Sequence, residues 1–566
     1  MTIAETIQQS IQKALGFLNI SDVSFVVEHP SDLAHGDYAT NVALVASKSL
    51  GKNPREVAEM IVSEIKTQNI QEISDITIAG PGFINFTLVP EFFNKSVLEI
   101  FNHGQNFGNV TVHAGKKILV EHSSPNLFKP FHIGHMMNNT IGESLTRLMQ
   151  SSGADVTTMS FPSDISLGIA KAIFVIIEKY VKDGQIFNPG NIVILGDAYV
   201  EGIKRYDEDE SIHARVKEIA DNLYGNIASP ELDVFNTCKN FNIEYFEHIV
   251  GQLGSHFDSY IYESESGVVG KKIVLENTPV IFTESEGAIV FIPDESKKNL
   301  NTSVFINSQG NPTYDAKDLG LLSMKFEKHH PDVSIFVTDH EQVSHFNIVL
   351  DAAEKINSEW KEKSIHVPHG RMSFKGQKMS SRLGGVPLAA DMIDAVSDEV
   401  LEVSAGRDID EKTKNDIAIA AIKFSILRAK PGMNINFDPE TSLSFEGDSG
   451  PYLQYTHARI QTLIEKAKEQ GIIAELKSGV EISELEKIMY RFPEVVELAI
   501  KEYAPNYIVT YLLEIARSFN SFYGSYKIID TDNREVSAHR IAIARSAQII
   551  IKNGLHMLGI SAPNRM

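Results

Sequence analysis

The sequence predicts an α/β protein built on a doubly wound parallel sheet, with an insertion in the sheet domain, a small α+β module before it and an all-helical region after it. Three features lead there. Short apolar runs at Lys117–Val120, Ser303–Ile306 and Ile335–Thr338 are each followed by a stretch with helical spacing of apolar residues, and alternating strand and helix imply a parallel sheet. Between the first of these units and the later ones, from about Gly196 to Glu295, lie charged helices and short strands; a nucleotide-binding sheet interrupted by an insertion reads this way. From about Ala390 to Met566 strand signals nearly vanish. The central sheet is therefore of Rossmann type, and its ligands are expected at the carboxyl ends of the strands.

The elements follow in order. Ile7, Ile11 and Leu15 recur every fourth position, giving an amphipathic first helix; acidic Glu5 and the absence of a compact apolar core with a cleavage site argue against a signal peptide. Pro54 to Ile65 has helical periodicity, and Ile76–Ala79 and Phe83–Leu88 read as strands. The Gly- and Asn-rich stretch 101–109 reads as a linker. After the strand Lys117–Val120 comes the loop Ser123–Asn126, then a helix from Gly134 to Gln150 with Ile141, Leu145 and Leu148 on one face. Leu319, Leu322 and Phe326, and then Phe346, Val349, Leu350 and Ala353, mark two later helices. The expected domains are 1–110, 111–390 with the insertion at about 196–295, and 391–566.

The chain has 566 residues, 43% of them hydrophobic and 22% charged, which excludes wholesale disorder. A single cysteine, Cys238, excludes a disulfide framework and a cysteine-based zinc site, and reads as a buried spectator thiol. No run of apolar residues is long enough for a membrane span, so the reading is cytoplasmic with no membrane partner. A net charge of −22 argues against a simple nucleic-acid coat protein. Ser537–Met566 reverses that balance locally, with Arg540, Arg545, Lys552 and Arg565 and no acidic residue.

Two segments carry chemistry. In Pro125–His135 the sequence His132-Ile-Gly134-His135 opens a helix directly after the leading strand and its loop. A helix start offers unpaired N–H groups to phosphate; histidines one turn apart can face one ligand, and Gly134 lets a flat base approach the backbone. The second is Gly376–Gly385, where Lys378, Met379, Ser380, Ser381 and Arg382 are flanked by glycines, a loop able to close over a polyphosphate. Taken alone, each pattern also fits an ordinary surface turn. Tyr314 and Asp318 lie i, i+4 at the start of a helix and project from one face.

Together the two segments resemble the HIGH and KMSKS signatures of class I aminoacyl-tRNA synthetases. Val120–Asn126, Pro312–Asp318, Phe445–Arg459 and Lys552–Met566 extend the resemblance to the arginyl-tRNA synthetase family, and Ala34–Asn41 and Gly80–Asn85 resemble that family's additional N-terminal domain. The resemblance covers nearly the whole chain in order. It departs at Ser381, where the signature normally has a second lysine; Lys129, just upstream of HIGH, stands where a substitute is expected. It departs again at Phe161–Gly168, which keeps Asp164 and one glycine of a Gly-Asp-Trp-Gly-type segment but not its tryptophan.

The resemblance implies an ATP-dependent arginine–tRNA ligase. ATP and Mg2+ would meet Lys129, His132, His135 and Lys378, with Pro125, Phe131, Gly134, Met379, Ser380 and Ser381 completing the nucleotide site and no resident metal site. Arginine's guanidinium has five donors and cannot be deprotonated, so it needs carboxylates and oxygen acceptors. The resemblance assigns these to Glu263, Tyr314 and Asp318, and the α-amino and carboxylate end to Glu121, Ser123, Asn126 and Gln342. The partners are L-arginine and tRNA(Arg), the latter bound before arginine is activated. The C-terminal helical bundle would bind the anticodon through Tyr452, Tyr455, His457 and Arg459, which combine stacking surface with phosphate-seeking charge. The N-terminal domain, with Asn85, would touch the outer corner of the tRNA. A monomer is expected, as is common in the family. A small-molecule nucleotidylyltransferase would not need the helical C-terminal region, and a non-catalytic RNA-binding descendant would be free to lose HIGH, Lys378 and the carboxylates.

Overall fold

The computed structural model describes residues 2–181, 187–297, 299–375, 387–403, 410–477 and 479–566. The chain divides into two units: 1–107 with 459–492 and 514–551, and 108–458 with 493–513 and 552–566.

The first unit begins with α1 (Ile3–Phe17), whose start is fixed by a reciprocal cap in which Thr2 accepts from the Glu5 amide and Glu5 accepts from the Thr2 amide. Strands β1 (Val27–Glu28), β2 (Tyr38–Thr40), β3 (Ile73–Ala79) and β4 (Phe83–Leu88) form one antiparallel sheet in the order β1-β2-β4-β3. Helices α2 (Val42–Leu50) and α3 (Pro54–Thr67) pack on it through Val42, Val57, Ile61 and Phe86, and α1 adds Ile7 and Ile11. The stretch expected as a linker is partly helical, since α4 runs from Pro90 to His103.

In the second unit, β5 (Lys117–Glu121) leads through a loop to α5 (Ile133–Ser151) and β6 (Asp155–Ser160). Helices α6 (Leu167–Tyr180), α7 (Ile192–Glu208), α8 (His213–Tyr224) and α9 (Pro230–Gln252) then share a core of their own around Ile173, Val216 and Phe235. Cys238 is fully buried there, and burial pushes its thiol up to about 12, so the residue is inert packing. The chain returns to the sheet at β7 (Ser259–Tyr260), inside the stretch read as insertion; two polar residues left no apolar run to reveal it.

Helix α10 (Glu263–Glu276) precedes β8 (Phe282–Ser285), β9 (Ala288–Phe291) and β10 (Ser303–Ile306). Here the structure corrects the sequence reading. Ser303–Ile306 does not join the parallel sheet; it pairs antiparallel with β9 in a separate three-stranded sheet. Its apolar residues instead bury Phe305 against Phe282 and Phe291. Helix α11 (Tyr314–His329) leads to β11 (Val333–Asp339), and α12 (Val343–Ile356) precedes β12 (Ser364–His369). The resulting sheet has five parallel strands in the order β12-β11-β5-β6-β7. Strand order reverses between β5 and β11, the place where such sheets put their ligand crevice. Beyond residue 390, β14 (Ile435–Phe437), which pairs with β13 (Met372–Phe374), is the one strand among the described residues.

Helices α10 and α11 cross at glycines. A Cβ on Gly270 would lie 1.7 Å from the Ala316 carbonyl oxygen, and one on Gly320 would lie 2.0 Å from that of Ser266. Only bare backbone permits this approach, which sets Glu263 against the face of α11. Gly270→Ala should therefore lower the urea midpoint by forcing the helices apart, at the cost of about 1–3 kcal/mol expected of overpacking.

Candidate active site

The start of α5 is built by its two histidines. His132 is the N-cap, and its Nδ1 accepts from the Gly134 amide at 3.1 Å; the Nδ1 of His135 accepts from the His132 amide at 3.3 Å. The two rings stack 3.8 Å apart. This is a capping box made of imidazoles in place of the usual hydroxyl and carboxylate. Because each Nδ1 receives an N–H, each proton sits on Nε2, so both rings offer a donor. Gly134 is required by contact: a Cβ there would lie 2.9 Å from Cε1 of His132. Burial, aided by the charge of Lys129, holds His132 below the usual imidazole range; burial together with His132, His369 and Lys129 takes His135 to about 3. Both are neutral donors at pH 7 rather than cations.

A cleft of about 330 Å³ opens at this helix start. Its walls come from the carboxyl ends of all five parallel strands: Glu121, Ser124 and Asn126 after β5, Phe161 and Ser163 after β6, Glu263 after β7, Thr338, Asp339 and Gln342 at β11, and His369 at β12. Asn138 of α5 pins the switch point by donating to the Val337 carbonyl at 2.7 Å and accepting from the Ser123 amide at 2.7 Å. Ser123 holds a left-handed φ of 55°, a strained backbone position in the loop at the cleft.

The carboxylates assigned to arginine enter this one cleft from three segments, each already paired with a basic side chain of the chain. Glu121 is paired with Lys325, and both are buried; burial raises the Glu121 carboxyl, and Lys325 works against that. Glu263 is paired with Lys317. Asp318 accepts from His345 Nε2 at 2.5 Å, and His345 Nδ1 lies 3.6 Å from Asp315. Against the cost of burial, Asp318 and Asp315 hold His345 above the usual imidazole range. Tyr314 lines the cleft with 69% of its surface exposed.

Lys317, Lys325 and His345 were missed from the sequence. Lys317 and Lys325 stand eight apart on α11, on the same face as apolar Leu321; that spacing is the one signal that could have marked them. The segment lacking a tryptophan is well packed. Asp164 is buried, receives Lys239 at 2.7 Å and accepts from the Ser264 amide at 2.9 Å, so it holds the start of α10 beside Glu263.

Of the remaining expected residues, Pro125 and Phe131 are buried in the loop before α5, and Phe131 stacks on His135 at 5.0 Å. Exposed Lys129 lies 4.6 Å from the Tyr199 ring centroid. Lys378, Met379, Ser380 and Ser381 lie outside the described residues. Three of the five residues expected to meet tRNA are buried in the structure. Tyr452 and His457 are 9% and 1% exposed, with His457 Nδ1 bonded to the Pro563 carbonyl, and Asn85 is 6% exposed within β4. The helix that carries the first two turns those positions into its core. Tyr455 and Arg459 are half-buried, and Arg459 lies over the Tyr523 ring at 4.2 Å.

A parallel sheet whose switch point meets a helix capped by His-x-Gly-His defines the catalytic fold of class I aminoacyl-tRNA synthetases. The family model for the catalytic domain of tRNA synthetases class I (R) matches residues 96–438, and the chain belongs to that family. Flanking it, the arginyl tRNA synthetase N-terminal domain matches 1–88 and the DALR anticodon binding domain matches 453–566. The chain is 28% identical to the arginine–tRNA ligase of Clostridium perfringens over 100% of this chain and 99% of the relative. It is 28% identical to that of Borreliella burgdorferi over 96% and 95%. The fold matches the arginyl-tRNA synthetase of Thermus thermophilus at TM-score 0.79 and 21% identity over 100% of both chains. It matches that of Plasmodium falciparum at 0.81 and 20% over 100% and 99%.

The caps of α5 carry a prediction of their own. At pH 5, well below the ordinary imidazole value of 6.5, His135 should remain neutral and Nε2-protonated; 15N spectra of histidine-labelled protein from pH 5 to 8 test this, and a charged ring at pH 5 contradicts it.

Proposed function

We propose that the chain is an arginine–tRNA ligase acting in the cytoplasm as a monomer: it activates L-arginine with ATP and charges the 3′-terminal adenosine of tRNA(Arg). What carries this reading is one cleft that combines two neutral imidazole N–H donors at a helix start with carboxylates from three segments. A carboxylate oxygen of arginine attacks the α-phosphorus of ATP and pyrophosphate leaves. A hydroxyl of the terminal adenosine then attacks the adenylate carbonyl, and AMP leaves. Neither step needs a protein nucleophile, so catalysis is positioning plus stabilisation of phosphate charge. His132 and His135 would donate Nε2–H to phosphate oxygens, and Lys129 and Lys378 would bring positive charge. Glu263, Asp318 and Tyr314 would take the guanidinium; Glu121, Asn126, Gln342 and Ser123 would orient the α-amino and carboxylate end.

Magnesium enters this reading as part of the nucleotide substrate. Donors of the HIGH type suit phosphate rather than a cation, and among the described residues no three His, Cys, Asp or Glu side chains stand together as a metal site. Tyr455 and Arg459 would meet tRNA, supported by their partial exposure and the match to an anticodon-binding domain. The lone buried thiol suits a reducing compartment.

ATP–pyrophosphate exchange with each amino acid, with and without bulk tRNA, tests the activity. Arginine alone should drive exchange, with neutral citrulline rejected by roughly 10⁴ because it lacks the positive charge and the full set of donors that the carboxylates would bind; exchange driven by lysine or glutamine, or by nothing, overturns the reading. Asp318→Ala should raise the KM for arginine far more than that for ATP. Lys129→Ala should slow adenylate formation at least as much as Ser381→Ala, by about 10²–10³ if it supplies the charge that the signature lacks.

A further inference from the structure

Resting on that reading, one side chain stands where the guanidinium of arginine would go. Lys317, on α11 between Tyr314 and Asp318, is 8% exposed. Its ammonium is paired with Glu263 and lies 5.3 Å from the Tyr314 ring centroid, so it engages two of the groups assigned to the substrate. A guanidinium brought to Glu263 would share that carboxylate with the Lys317 ammonium, and two like charges held a few ångströms apart in a buried site repel, so the two cations compete for it.

The structure provides a place for the displaced ammonium. Behind Glu263 and Lys317, which line both spaces, lies a second cavity of about 470 Å³. Its walls include Tyr224, Asn236, Glu265 and Asn311, all oxygen acceptors for an ammonium. Asp164 is also there but is already taken by Lys239. The lysine stem runs past bare backbone: a Cβ on Gly267 would lie 3.5 Å from Lys317 Cγ and 3.6 Å from Pro312 Cγ.

We propose that Lys317 is a specificity-determining residue, an internal cation that occupies Glu263 until a guanidinium displaces it into the neighbouring cavity. The exchange discriminates by chemistry. A guanidinium replaces one ammonium contact with a planar fork that can bond a carboxylate bidentately. A free lysine only exchanges one ammonium for another and gains nothing at Glu263. A neutral side chain would leave Glu263 with its own lysine.

Equilibrium dialysis of labelled arginine and labelled lysine against the full chain, with bulk tRNA present, tests this through Lys317→Met. With the competitor removed, the dissociation constant for arginine should fall about tenfold, the scale of one charge-assisted hydrogen bond. That for lysine should fall at least as much, narrowing the preference for arginine. A lysine that only braces α11 would give unchanged or weaker arginine binding, and either result overturns the proposal. Should the methionine variant not fold, Lys317→Arg runs the test in reverse: a competitor matching the substrate should weaken arginine binding about tenfold, and no change overturns the proposal. Pyrophosphate exchange by the unaltered protein separates the two failures. Without arginine-driven exchange the proposed activity falls; with exchange but unmoved binding in the variant, only the role of Lys317 falls.

Discussion

A carboxylate withdrawn from water has to meet a positive charge, and the cleft is organised around that requirement. Glu121, Glu263 and Asp318 come from three segments far apart in the chain, and each faces Lys325, Lys317 or His345. Breaking one buried pair leaves a bare charge, which costs far more than a surface pair contributes. The three contacts therefore fix how β5, α10, α11 and α12 stand around the crevice. On the proposed reading, a cationic substrate would meet carboxylates that the chain's own basic side chains already hold.

The same economy governs the start of α5. A helix start leaves amide donors to be satisfied, and here the imidazoles of His132 and His135 satisfy two of them through Nδ1, which leaves the proton on Nε2. Capping uses one edge of each ring and leaves the other for the chemistry proposed at the cleft, and Gly134 is small because the His132 ring lies over it. The spacing of the signature follows from helix geometry: the N-cap and the third helical residue are the two positions that can cap each other.

Much of this was legible in the residues. The βα unit from Lys117 to Ser151 has the expected order, because its strand is an apolar run and its helix keeps one apolar face. Ser303–Ile306 was legible as a strand but not as a member of the antiparallel sheet, since local pattern does not encode which neighbour supplies the hydrogen bonds. Ser259–Tyr260 was illegible: two residues carry no period. Tyr452 and His457 were recognisable as a helical stripe, yet an aromatic stripe reads the same whether it meets RNA or core, and both are buried.

By itself the sequence determined the helix that opens with paired histidines, the alternation that makes a parallel sheet, and the carboxylate-bearing segments that mark the arginyl family. Tertiary structure alone decided that Glu121, Glu263 and Asp318 share one cleft and that Lys317, Lys325 and His345 answer them. The reason is range. Capping and periodicity act over a few residues, whereas the pairing of buried charges is settled only when distant segments are packed and water is excluded.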